Sequence, residues 1–208
     1  MWFPILIAAL TAYLLGNLNG AVCMSALLAK EDVRTHGSGN AGLTNFVRNY
    51  GASSALFVIL IDAGKAVIAC YAAGLIMRCV DLYQEGLAVG GLFVILGHCF
   101  PALLGFKGGK GILSGWFVAW VIDWRIGALI FAVFAIAYLL SGYVSLGSVL
   151  AGVAFVVSFV WLHHDNTVVM TIGVVAGLLT LFMHRGNIVR LLRGEERKTN
   201  LFGKGKQK

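Results

Sequence analysis

Charge is what this chain has least of. Only 12% of its 208 residues are Asp, Glu, Lys or Arg, 59% are hydrophobic, and the mean hydropathy is +0.87. A typical soluble domain carries about 25% charged and roughly 45–50% apolar residues, so a water-soluble fold is excluded and an integral membrane protein is implied. Alternating segments of ~10 residues, the mark of a membrane barrel, are missing too. Only helices and closed barrels satisfy their backbone in hydrocarbon, so the expected fold class is all-α and a single domain over 1–208. The four cysteines (Cys23, Cys70, Cys79, Cys99) lie in or beside apolar stretches without CxxC spacing, which suggests neither a disulfide framework nor a zinc site. No basic region precedes the first apolar run, and that run exceeds the ~7–15 residues of a signal h-region. It is therefore expected to be a retained span.

Apolar runs near the ~20 residues that cross a bilayer occupy 2–29, 52–76, 86–104, 112–121, 126–140, 144–162 and 168–183. The fourth and fifth are short, and a run such as 112–121 reaches only ~15 Å at ~1.5 Å per residue. The expectation is a polytopic helical bundle of seven transmembrane helices, with five to seven compatible with the run lengths. Of the 16 Lys and Arg, all but Lys65, Arg78 and Arg125 then fall on one face. The positive-inside rule makes that face cytoplasmic, with the N-terminus outside and 184–208 a basic cytoplasmic tail. The net charge of +7 reads as an orientation signal beside anionic lipid, not as a nucleic-acid surface.

Three stretches assigned to that face share a chemistry that orientation alone does not need. They are "HGSGNAGLTNFVRNYG" (36–51), "GFKGGKG" (105–111) and "HRGNIVRLLRGEE" (184–196). Glycines let backbone N–H groups converge on an anion, Ser and Asn add neutral donors, and Lys and Arg neutralise phosphate charge. The second stretch is not a Walker A loop, because Gly111 follows Lys110 where Ser or Thr is required; nucleotide hydrolysis is disfavoured. A phosphate cradle of another kind remains.

Together, "GSGNAGLTN" followed by Arg48, "GHCFPALLGFKGGKG" and "HRGNIVRLLRGEE", in this order, resemble the bacterial acyl-phosphate:glycerol-3-phosphate acyltransferases (PlsY). "DAGKA" (62–66) and "YVSLGS" (143–148) are weaker matches, and Ala41 stands where family members often carry Pro. The resemblance implies transfer of a fatty acyl group from acyl-phosphate to the 1-hydroxyl of glycerol-3-phosphate, giving lysophosphatidic acid and phosphate at the bacterial inner membrane. It implies no cofactor, no metal and no obligate protein partner. The family lacks the His-x4-Asp acyltransferase motif, and none of the five histidines here has Asp at +5.

The resemblance places Ser38, Lys110, His184 and Asn187 in catalytic positions. It places Gly37, Gly39, Asn40, Thr44, Asn45, Arg48, His98, Lys107, Gly108, Gly109, Ser145 and Arg185 in substrate-binding ones. His184 and Asn187 are three apart and share a face if the tail starts helically, so they can hold or deprotonate the attacking hydroxyl. His98 can do the same or cap its helix. A phosphate titrates near pH 6–7, so the departing phosphate can itself take the proton. Glu195 and Glu196, about three helical turns past His184, are too far along a continuous helix to orient its ring. Asp62 and Lys65, spaced i,i+3 in mid-span, are expected to pair, either structurally or as part of the site. The rival class, a transporter or channel for a phosphate-bearing anion, calls for a midplane site on broken helices, whereas the phosphate chemistry here gathers on one face.

Overall fold

The computed structural model describes residues 2–199 and is all-helical there, with no strand among the described residues. The first apolar run is two helices, α1 (Trp2–Gly16) and α2 (Gly20–Ala29), separated by a break at 17–19. Asn19 caps α2, its Oδ1 accepting from the Val22 amide at 3.0 Å. A short amphipathic helix, α3 (Leu43–Tyr50), follows, and then the long spans α4 (Ala55–Met77) and α5 (Tyr83–Cys99).

The second half contains α6 (Ile112–Ile122), α7 (Trp124–Ser141), α8 (Val144–Leu162), α9 (Thr167–Met183) and α10 (Arg185–Leu192). Helix α7 is bounded by an Asp123 N-cap and Gly142 at its C-cap, and α9 starts on an Asn166 cap. Every apolar run of the sequence thus becomes helical. Five spans are long and apolar enough to cross a membrane unaided, or six when α9 and α10 are joined across their 53° bend. Helix α6, with 11 residues, is too short to cross alone.

Helix α4 packs on α5 and α1 through small side chains: Ala66, Ala69, Ala73 and Ala88 are buried at the contact. Small residues allow backbones to approach closely where lipid supplies no hydrophobic drive. The outward faces are correspondingly oily, with Leu139 and Leu140 of α7 76% and 84% exposed, as a lipid-facing surface requires.

The three glycine- and cation-rich stretches meet at one end of the bundle. Arg34 Nη1 donates to the carbonyls of Leu104 at 2.7 Å and Lys107 at 2.9 Å, and Arg48 Nε donates to Thr199 Oγ1 at 2.8 Å. Asp123, Arg125 and His163 cluster at the other end, where Asn166 also donates to Glu85.

Candidate active site

The first loop is shaped by Asn45, which is buried near the start of α3. Its Nδ2 donates to the carbonyls of Val33, His36 and Asn40 at 3.0–3.1 Å, and its Oδ1 accepts from the Ser38 amide at 2.9 Å. Gly37 and Gly39 turn the chain at φ +60° and +70°, which brings Ser38 to the outer rim. The break in the first span anchors two loops. Asn19 Nδ2 donates to Ala41 O at 3.0 Å, and Asn17 Oδ1 accepts from Leu103 N at 3.0 Å.

Between these loops, α10 and the inner faces of α4 and α6–α8 lies a cavity of about 280 Å³. Its polar end is lined by Ser38, Arg48, Lys110, Ser145, His184 and Asn187, with Asn40, Thr44, Asn45 and His98 also on its walls. Its apolar end is built from Ile59, Trp116, Ile130, Phe131 and Phe134. Phe131 is 51% exposed on the outer face of α7, so the apolar end reaches the lipid-facing surface.

Lys110 Nζ donates to Asn187 Oδ1, and Asn187 Nδ2 donates to Glu196 Oε2 at 3.1 Å. Arg190 Nε donates to the same carboxylate oxygen at 3.1 Å, so Glu196 fixes which way the Asn187 amide faces. Burial, assisted by nearby Arg190, pushes Lys110 down to about 8. Arg48, held by Thr199 and the Arg197 carbonyl, is lowered by burial against the opposing pull of Glu196 but keeps its charge.

His184 is the residue at which the chain turns out of α9. Its Nδ1 lies 2.7 Å from Thr180 O, and a carbonyl can only accept, so Nδ1 carries the proton and Nε2 is the free acceptor. Burial pushes this histidine down to about 4, so the imidazole is neutral near pH 7. Ser145 Oγ on α8 is buried without a hydrogen-bond partner among the described residues, and Ser145 lines the cavity.

Ten of the residues singled out from sequence therefore share one cavity. Lys107 and Arg185 do not: both are exposed, Lys107 offering its carbonyl to Arg34 and Arg185 bonding back to Phe182 O and covering that ring at 4.3 Å. Gly37, Gly39, Gly108 and Gly109 form the turns behind the wall rather than the wall itself. The continuous helix assumed past His184 is not what forms, although the His184 ring is still held by Thr180 O and not by a carboxylate. The chain doubles back after α10 and brings Glu196 into the cavity, where it engages Asn187 and Arg190. Thr199, the partner of Arg48, had no signal in the sequence.

A pocket with phosphate donors at one end and an oily slot at the other fits an amphiphile with a phosphate head. Residues 6–194 match the family model described as glycerol-3-phosphate acyltransferase. A glycerol-3-phosphate acyltransferase of Finegoldia magna is 35% identical over 196 residues, covering 93% of this chain and 96% of that protein. Crystal structures of PlsY (YgiH), an integral membrane glycerol 3-phosphate acyltransferase, superpose on this fold. The glycerol 3-phosphate form has a TM-score of 0.83 at 31% identity, covering 94% of this chain and 96% of that one. For the lysophosphatidic acid form the TM-score is 0.81 at 31% identity, covering 95% and 96%. With nearly the whole length matched in sequence and in fold, the chain belongs to the glycerol-3-phosphate acyltransferase family.

Proposed function

We propose that this protein transfers a fatty acyl group from acyl-phosphate to the 1-hydroxyl of glycerol-3-phosphate, on the cytoplasmic side of a bacterial inner membrane. The observation that carries this reading is that one cavity is lined both by phosphate-binding side chains such as Arg48 and Lys110 and by apolar ones, among them Phe131, which is also exposed on the outer surface. The hydroxyl oxygen attacks the acyl carbonyl carbon, the bond from that carbon to the phosphate oxygen breaks, and lysophosphatidic acid and inorganic phosphate leave. Two phosphate groups must be held close together and an oxyanion stabilised, which is work for Ser38, Arg48, Lys110, Ser145, His184 and Asn187. Asn40, Thr44 and Asn45 complete the wall of the first loop.

Purified protein in liposomes is expected to convert acyl-phosphate and labelled glycerol-3-phosphate into lysophosphatidic acid and phosphate in equal amounts, and to use neither an acyl thioester of coenzyme A nor one of a carrier protein. Passage of the label across the bilayer without acylated product would make the protein a transporter instead.

The orientation belongs to the same proposal. Single cysteines placed beside Arg78 and His163 are expected to react with an impermeant thiol reagent from outside, and those beside Ser38, Lys107 and Arg190 only from the cytoplasm. The reverse pattern would put the phosphate-binding end outside the cell, away from a cytosolic substrate.

A further inference from the structure

Lys65 is 3% exposed in the middle of α4 and is not part of the cavity wall. Its Nζ lies 2.7 Å from Asp62 Oδ1, 2.5 Å from the Leu18 carbonyl at the break of the first span, and 2.7 Å from His98 Nδ1. An ammonium has three protons and no lone pair. Three neighbours consume those protons, and the third, His98 Nδ1, must therefore accept. Asp62 Oδ1 stands 3.6 Å from that ring nitrogen, too far for a hydrogen bond, and already accepts from Lys65 and from the Gly20 amide at 3.2 Å. The proton of a neutral His98 is thus on Nε2.

That nitrogen has no hydrogen-bond partner among the described residues. It lies against Gly109, where a Cβ would come within 2.1 Å of Nε2 and 2.8 Å of the Ala41 carbonyl. His98 lines the cavity beside Lys110 and Gly111. The pair also partners the Leu18 carbonyl and the Gly20 amide at the break of the first span, but neither of those contacts calls for the third one, to His98. Setting the tautomer of a neighbouring imidazole is something no apolar side chain does.

We propose that Lys65 is a positioning residue that locks His98, on the cavity wall beside Lys110, as an Nε2–H donor to the oxygen on which negative charge develops during acyl transfer. The tautomer follows from the geometry; its use rests on the function proposed above. The test has two arms. In protein labelled with ¹⁵N-histidine, with the His98 signals assigned by their loss in His98→Gln, Nε2 is expected to be protonated and Nδ1 to be the bare acceptor. In the double variant Asp62→Leu, Lys65→Met, which removes the charges together, the two tautomers should mix, and kcat should fall about 10²-fold while KM for glycerol-3-phosphate hardly moves. His98→Ala, which leaves the Asp62–Lys65 pair in place, should repeat that kcat loss.

A protonated Nδ1 in the parent protein overturns the proposal, and so does a kcat within about threefold of the parent in His98→Ala, a far smaller change than loss of such a donor produces. An unchanged tautomer in the double variant overturns it as well. Absence of acyl transfer by the parent would sink the proposed function instead, and the nitrogen spectrum would then decide the role of Lys65 alone.

Discussion

Lys110→Ala is expected to lower kcat/KM for acyl transfer by at least ~100-fold, the loss of ~2.7–4 kcal/mol that follows removal of one charge-assisted donor at an oxyanion or phosphate. Lys110 stands where the glycine loop enters the cavity, pointed at Asn187 and hemmed in by Arg190 and Glu196. Ser38→Ala, at the rim of the same cavity, should fall in the same range. Both variants should still insert and fold, because the one helix contact involved, from Lys110 to Asn187, is to the short helix α10 and not between the long spans.

The lowered Lys110 gives this prediction a pH signature. In the empty site Lys110 loses its proton as pH rises through about 8, because burial disfavours the ammonium. A bound phosphate dianion favours that ammonium and raises its pKa again, so binding takes up a proton above this point. KM for the phosphate substrate should therefore climb as pH passes about 8, and Lys110→Arg, charged throughout, should flatten the climb. Near-normal turnover of Lys110→Ala would reduce the loop to a membrane anchor.

The bundle was legible in the sequence wherever apolar length decides the outcome. The run 144–162 is α8, residue for residue, and 168–183 gains only Thr167 from the Asn166 cap. What composition could not show was the break at 17–19, since Leu18 keeps the run apolar while Asn17 and Asn19 face loops far away in sequence. The break is stable because Lys65 and Asp62 supply the partners that Leu18 O and Gly20 N need, a tertiary fact invisible to a hydropathy window.

Glu196 was misplaced for a related reason: counting ~3.6 residues per turn from His184 assumes that the helix continues. Helix α10 stops at Leu192, and Gly194 takes φ +69°, a conformation that reverses the chain. A glycine just past a short amphipathic helix is a stop signal that a reading of the sequence can use. The share of the site carried by the three motifs was legible, because phosphate chemistry restricts residue type. The tail that folds over Arg48 was not, because Thr199 meets it only through the fold.

His184→Ala separates the two routes for the hydroxyl proton. The geometry equips His184 for either role: Thr180 O holds Nδ1–H, which leaves the Nε2 lone pair for the attacking hydroxyl. If His184 is the general base, its removal should cut kcat by roughly 10²–10⁴-fold, and the acidic limb of the kcat profile should vanish with it. Its position in the fold argues for the other route. Burial pushes this imidazole down to about 4, so it is a weak base at neutral pH, and the carboxylate of Glu196, which acts on it, is spent on Asn187 and Arg190. The ring is oriented by a neutral carbonyl, which does little to stabilise the imidazolium that a general base becomes. A departing phosphate, which titrates near pH 6–7, is better matched to the task. The expected result is that the acidic limb persists in His184→Ala and that the damage appears mainly as a raised KM for glycerol-3-phosphate, because the ring then only holds the hydroxyl. A His184→Gln variant that binds glycerol-3-phosphate normally, yet loses turnover by about three orders of magnitude, would return the proton to His184, since a glutamine can still hold a hydroxyl but cannot act as its base.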